Sequence, residues 1–369
     1  DMLRSDVCNA VEELGQLLDH TGPVAESEAR AAETFGADHL FFVTNGTSTS
    51  NKVVWNSAVS AGDVVLVDRN CHKSILHAII LTGAIPIYLW PTRNRAGIIG
   101  PIPRSEFSPE SIAEKIRSHP AITDKSVTPR ILTLTQSTYD GVVYNAEEIK
   151  STLDGYVDVL HFDEAWLPHA RFHELYRGMH GVDERTAKTQ KSLVYATQST
   201  HKLLAGLSQA SQILVQNSEE TELDRDIFNE AYLMHTSTSP QYSIIASCDV
   251  SAEMMRGPGG HALVEETITE AMEFHRAIIR IGDERADSDW WFGVWGPDTP
   301  PREGLAERAE WQLSASDNWH GFGEIGEDFA MLDPIKVTLT TPGLSIDGEF
   351  GDFGIPGLVL SKYLAEHGV

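Results

Sequence analysis

Cysteine is scarce and basic charge is in deficit. Three cysteines occur, Cys8, Cys71 and Cys248, far apart and without a CxxC pair. Their spacing argues against a disulfide framework or a cysteine zinc site, and it fits a reducing, cytoplasmic setting. No run of eighteen apolar residues exists, so a transmembrane helix is not expected. The opening DMLRSDVCNAVEELG lacks a basic stretch followed by an apolar block and is not read as a secretory signal. It also lacks an initiator Met, and the chain reads as a fragment of a longer one. Internal repeats and low-complexity tracts are absent. Basic residues number 28 against 54 acidic ones, a net charge of −26 that argues against nucleic acid and anionic membrane as partners. The acidic excess fits a small cationic substrate, and equally a salt-adapted or merely soluble surface.

What is present is a regular alternation. The chain has 369 residues, too many for one small core, which suggests a large domain plus a second piece. Apolar, β-rich runs at 40–44, 63–67, 85–90, 131–135, 157–163, 192–197 and 212–216 read as buried strands. Between several of them, helical patterns are expected over 48–58, 74–81, 109–118 and 146–153. Short apolar strands separated by helices imply βαβ units and an α/β fold with a mostly parallel sheet covered on both faces. From residue 224 the pattern turns helical. RGPGGHA (256–262) reads as a boundary, followed by a long helix over 262–281 and the Trp-rich WWFGVW at 290–295. A strand at 335–339 and a helix at 356–367 close the chain.

Ligands of such sheets sit beyond the carboxyl ends of the strands, so the residues just after each run carry the functional argument. LFFVT is followed by TNGTSTSN, a glycine flanked by hydroxyls that opens a helix. Free backbone N–H groups there suit a phosphate, although ordinary N-capping by Thr or Ser would also account for the composition. VVLVD is followed by RNCHKS, which brings His72 to the same edge as a ring-stacking group, a metal ligand or a simple cap. ILTLT leads into QSTYDG, read as a turn. VDVLHFD ends in Asp163, a carboxylate that burial penalises unless a cation or hydrogen-bond donor faces it. SLVYAT is followed by QSTHK, where Lys202 stands before a run of small residues. Pyridoxal phosphate uses all four features: an anionic phosphate, a flat ring, a pyridine nitrogen that wants a carboxylate, and an aldehyde that condenses with a lysine. Unrelated caps plus one Asp163–Lys202 salt bridge is the alternative.

The stretches TNGTSTSNK, DRNCHKS, PTRN, STYDG, HFDEAW, ATQSTHKLLAGLSQAS, FNEAYLMHTSTSPQY and LDPIKVTLTTPG resemble, in order, the bacterial Orn/Lys/Arg decarboxylase family. The similarity runs from LLDHTGP (17–23) to the end. The resemblance implies an aspartate-aminotransferase-like large domain over 1–256, with 1–20 a linker remnant, and the beginning of a smaller α+β C-terminal domain over 257–369, cut short. It implies pyridoxal 5'-phosphate bound through Lys202 as a Schiff base, with Asp163 at the pyridine nitrogen and His72 stacked on the ring. By the same resemblance Gly46, Thr47, Ser48, Ser199 and His201 surround the phosphate, and Ala165 and Trp166 line the cofactor. Ser237 would reach a neighbouring subunit's phosphate, which implies a homodimer, or a higher oligomer, with shared sites. The implied reaction is decarboxylation of lysine, arginine or ornithine to cadaverine, agmatine or putrescine, with lysine nearest in wording. An aminotransferase on the same fold and an inactive cofactor-binding paralogue are the alternatives.

Overall fold

The computed structural model describes residues 2–8, 11–285, 292–297, 307–341, 343–344, 350–351 and 357–368. In chain order the principal elements begin with α1 (Gly22–Phe35), β1 (His39–Val43), α2 (Thr47–Ala58), β2 (Val64–Asp68), α3 (Lys73–Thr82) and β3 (Ile85–Leu89). Then come α4 (Pro109–Ser118), β4 (Ile131–Thr135), β5 (Val142–Tyr144), α5 (Ala146–Leu153), β6 (Val159–Asp163) and β7 (Leu193–Gln198). The short α6 (Thr200–Leu203) leads to β8 (Ser211–Gln216), α7 (Arg225–His235), α8 (Tyr242–Met254) and α9 (Pro258–Glu284). Smaller pieces follow: β9 (Gly293–Trp295), β10 (Ala330–Leu332), β11 (Thr338–Thr340) and α10 (Gly357–Glu366).

Seven strands form one sheet in the order β1-β8-β7-β6-β4-β2-β3. The pairs from β7 through β6, β4 and β2 to β3 are parallel. β8 alone runs in reverse, antiparallel to both β1 and β7. β2, β6, β7 and β8 are buried along their whole length, which explains why they read as apolar runs rather than alternating ones. The expected α/β class with a mostly parallel sheet is what forms.

Every expected strand of the large sheet is found, shifted by at most two residues. The later expectations hold in part. RGPGGHA marks the break between two helices, α8 ending at Met254 and α9 beginning at Pro258, but the long helix expected from 262 starts earlier because Pro258 takes its first turn, where the missing N–H costs nothing. Gly260 is buried inside that helix, where a Cβ would lie 2.2 Å from the Met255 carbonyl oxygen, so the position requires glycine. The strand at 335–339 begins only at Thr338, because Asp333 turns the chain, its carbonyl taking the Lys336 N–H at 3.0 Å and its side chain the Ile335 N–H at 3.1 Å. The closing helix is described from Gly357, and the first two tryptophans of WWFGVW lie outside the described residues. β5 carries no separate signal in the sequence. It pairs antiparallel with β10, which lays residues 330–332 against the turn after β4.

Candidate active site

All strands but β8 deliver their carboxyl ends to one edge of the sheet, and the reversed β8 delivers its beginning there. One cavity of about 230 Å³ at this edge is lined by Gly46, Thr47, Ser48, Asn51, His72, Asp163, Ala165, Ser199, His201, Lys202 and Gln209. Nine of these eleven are residues expected from the sequence; Asn51 and Gln209 are not. Cavities of about 480 Å³ exist elsewhere, so size does not select this one. Its donor set does.

Helix α2 starts at the cavity. Gly46 is its N-cap, with φ 72° and no side-chain cap on the first turn. The hydroxyls near it bond one another instead: Thr47 Oγ1 lies 2.6 Å from Ser199 Oγ and 2.9 Å from Ser211 Oγ. Simple capping therefore does not explain the hydroxyl cluster, and the first-turn N–H groups and dipole remain suited to an anion. His201 donates Nδ1–H to the Ala210 carbonyl at 2.7 Å, so its Nε2 is the nitrogen left for other partners. The Gly46 N–H itself donates to the Gln209 carbonyl at 2.8 Å, which ties the loop before α2 to the turn before β8.

Asp163 ends β6, only 5% exposed. Burial pushes its carboxyl pKa up. The Asn51 N–H at 2.9 Å, the Ala165 N–H at 3.2 Å and the charges of His72 and Lys202 oppose that shift. A buried carboxylate with two neutral donors and an open cavity before it is suited to a cationic nitrogen. His72 caps α3, its Nδ1 accepting the Ser74 N–H at 3.2 Å. The capping role is thus real, and the ring still lines the cavity.

Lys202 lies on α6, half-buried. Desolvation draws its pKa below the ordinary lysine range, opposed by Asp163. Among the described residues no ion pair joins it to Asp163. Its Nζ instead sits 4.1 Å from the centre of the Trp166 ring, so the simple salt bridge allowed by the sequence does not form. An amine that is easily neutral and accessible from a cavity is a nucleophile. The small residues after it let the chain double back: a Cβ on Gly206 would lie 2.9 Å from Ala210 Cβ and 3.0 Å from the Thr200 backbone.

Trp166 stands beside the cavity, edge-on to Tyr139 at 5.2 Å. A second amine, Lys336 Nζ, lies 4.3 Å from the same ring. Burial lowers the Lys336 pKa, Asp333 opposes this, and the neighbouring charge of Lys202 adds to it. Lys336 stood unremarked inside LDPIKVTL; the β5–β10 pairing that brings it here has no local sequence signal. Ser237 is exposed in the loop after α7 and does not line this chain's cavity. Its Oγ accepts the Ser239 N–H at 3.1 Å.

The donor set fits pyridoxal phosphate: an uncapped, hydroxyl-rich helix start for the phosphate, a buried carboxylate short of a cation, and a desolvated amine. Comparison with known proteins agrees. Residues 1–369 match the family model described as "Orn/Lys/Arg decarboxylase, major domain". Lysine decarboxylase LdcA of Pseudomonas aeruginosa is 56% identical over 368 residues, covering 100% of this chain and 49% of that protein. The inducible lysine decarboxylase of Escherichia coli K12 is 45% identical, with the same two shares. The E. coli K12 biodegradative arginine decarboxylase is 42% identical and half covered, at 51%. The solved structure of the Pseudomonas aeruginosa enzyme superposes with a TM-score of 0.92, again over 100% of this chain and 49% of that one. The chain thus spans about half the length of the curated relatives it matches. Coverage from first residue to last, by sequence and by structure, shows that this chain belongs to the Orn/Lys/Arg decarboxylase family, whose major domain it matches.

Proposed function

We propose that the whole protein decarboxylates lysine to cadaverine and carbon dioxide, with pyridoxal 5'-phosphate bound at the edge where β1, β2, β6 and β7 end. The observation that carries this reading is the shared cavity of Asp163 and Lys202, a buried carboxylate and a desolvated amine that do not pair with each other. The higher identity to lysine than to arginine decarboxylases supports the choice of substrate. When bound, the cofactor supplies an electron sink for cleavage of the bond between Cα and the carboxylate. Gly46, Thr47, Ser48, Ser199 and His201 hold its phosphate. Asp163 keeps a proton on its ring nitrogen, and that proton in turn offsets the cost of burying Asp163. His72 would stack on the cofactor ring, Ala165 and Trp166 would line its surroundings, and Lys202 would hold the cofactor through its amine.

The same proposal includes the division of the chain at 256/257, a cytoplasmic location and a homodimer in which Ser237 completes the partner's phosphate site. Borohydride reduction of the full-length protein with cofactor, followed by peptide mapping, is expected to label Lys202. Carbon dioxide release should be fastest with lysine among lysine, arginine and ornithine. Labelling of another lysine, or keto acid in place of carbon dioxide, overturns the reading.

A further inference from the structure

Beneath the cavity lies a set of polar side chains that the proposed chemistry does not use. Trp55, Thr133, His161, Thr197 and Asn51 are each no more than 1% exposed. Register explains their meeting. Thr133 of β4 pairs with His161 of β6, and Thr197 of β7 pairs with Asp163 of β6. Residues 161 and 163 lie two apart on a strand and share a face of the sheet. Helix α2 lies over that face and contributes Asn51 and Trp55, one turn apart.

The hydrogen bonds among them have a single consistent direction. The Trp55 indole N–H, which can only donate, reaches Thr133 Oγ1 at 3.0 Å. The Thr133 proton is then available for His161 Nδ1, at 3.2 Å. That leaves the His161 proton on Nε2, 3.1 Å from Thr197 Oγ1. Thr197 in turn donates to Asn51 Oδ1 at 2.7 Å. The Asn51 amide group points the other way, with Nδ2 2.9 Å from both Asp163 Oδ2 and Ser74 Oγ. Ser74 Oγ lies 2.8 Å from His72 Nδ1; the Ser74 N–H points at the same nitrogen, so Nδ1 carries no proton and the hydroxyl is the donor of the pair. A donor-only group at one end and a carboxylate at the other leave no second arrangement that satisfies every member.

We propose that Asn51 is a positioning residue, its amide locked by this one-way chain so that both N–H groups are presented to the site, one to Asp163 and one through Ser74 to His72. The inference rests on the proposed cofactor, because Asp163 and His72 are the groups assigned to its ring nitrogen and its ring face. One amide then fixes the carboxylate and the imidazole relative to each other. A flipped Asn51 would set its oxygen against the carboxylate and its amide against the Thr197 proton. His161 is the switch-point of the chain, and it works only as the neutral Nε2–H form. Burial keeps the ring neutral, pushing its pKa down to about 3, and the Thr133 and Thr197 hydroxyls select the tautomer.

The test uses the full-length holoenzyme. Thr197→Val keeps the shape and removes the O–H, so cofactor release is expected to quicken by about tenfold, the effect of stranding one buried polar partner. kcat should fall with KM for lysine unchanged, and Thr197→Ser, which keeps the O–H, should stay close to the parent. Neutron diffraction from deuterated crystals of the unaltered protein should show deuterium on His161 Nε2, none on Nδ1, and the Asn51 ND2 group facing Asp163. Deuterium on Nδ1 overturns the inference, as does a Thr197→Val protein that holds cofactor normally, or a Thr197→Ser protein equally impaired. Failure of borohydride to fix cofactor on Lys202 would instead remove the proposed function, while the neutron result on His161 still decides the chain.

Discussion

Replacing Asp163 with asparagine separates its electrostatic role from its structural one. The carboxylate takes the Asn51 N–H on Oδ2 and the Ala165 N–H on Oδ1. An asparagine can satisfy one of these with its oxygen, but its own amide then faces the other donor. Stranding one buried donor costs roughly 1–3 kcal/mol. Against this, burial already disfavours the charge on Asp163, as the raised pKa shows, and asparagine removes that penalty. The two effects oppose, so the cofactor-free variant should melt within a few degrees of the parent. The pH dependence has a definite sign. A carboxyl raised in the folded state binds more protons there than in the unfolded chain, so its contribution weakens stability as pH rises above the ordinary aspartate range. That component should be missing from the variant. Turnover responds differently. If Asp163 faces the ring nitrogen as proposed, a generic charge pair at about 4 Å in an effective dielectric near 20 would contribute on the order of 4 kcal/mol, so roughly a thousandfold fall in carbon dioxide release from lysine is expected. A variant that folds, binds cofactor on Lys202 and turns over within about tenfold of the parent would refute the electrostatic argument.

Lys202→Met should abolish borohydride labelling, and without cofactor it should melt higher than the parent at neutral pH. A lysine lowered in the folded state weakens stability below its unfolded pKa, so calorimetry should show the gap closing as pH approaches the ordinary lysine value. Lys336→Met removes a second positive charge held over the Trp166 ring. It should raise the pH midpoint for trapping cofactor on Lys202, whereas Lys336→Arg should not; an unmoved midpoint in the Met variant would dismiss the charge coupling. Gln209 sits at φ 79°, uncommon for a residue with a side chain. Gln209→Val should lower stability by about 1–2 kcal/mol in urea unfolding, because a β-branched residue resists that backbone, while Gln209→Gly should change it little. Gly260→Ala forces a Cβ against the Met255 carbonyl and should cost about 1–3 kcal/mol by the same measurement.

The large sheet was legible because its strands are buried on both faces, so short runs dominated by apolar residues, VVLV, VLHF and LVYA among them, announce each one. The ends of those runs were legible for the complementary reason: Asp163 and Lys202 are polar groups placed where burial is costly, and such placement calls for a partner. Two kinds of information were missing. The β5–β10 pairing joins residues almost two hundred apart through a three-residue ladder, and nothing local in VVY or AML marks a strand of that length. Lys336 therefore carried no signal beyond its place in an expected strand, and Asp333 gave no hint that its side chain accepts the Tyr176 hydroxyl at 2.6 Å. Asn51 was hidden differently. In TNGTSTSNK it is one polar residue among many, and only the helical spacing from Thr47 puts the two on one face. That signal was available, but it selects a residue only once the sheet face opposite is known to carry His161, Thr197 and Asp163.

The reversed strand explains why the site closes. In a wholly parallel sheet the edge beyond the carboxyl ends receives only outgoing chain, and the loops there lead away into helices. β8 enters at that edge, so Gln209 and Ser211 arrive where Gly46, Thr47 and Ser199 leave. The contacts are specific: the Gln209 carbonyl takes the Gly46 N–H, and Ser211 Oγ lies within 2.9 Å of both Thr47 Oγ1 and Ser50 Oγ while donating to the Gln198 carbonyl. The start of α2, the end of β7 and the start of β8 are thereby bound into one unit around the anion position. Lys202 lies within the short excursion between β7 and β8, so its reach is set at both ends by strands paired along 194–198 and 212–216. A covalent attachment point needs that fixity more than a binding residue does, because a misplaced amine cannot find the aldehyde however tightly the phosphate is held. The proposed phosphate site and Lys202 thus belong to one hairpin-like turn locked to one helix, so if the proposed function holds, changes that loosen Ser211 should impair covalent attachment at Lys202 as much as phosphate binding.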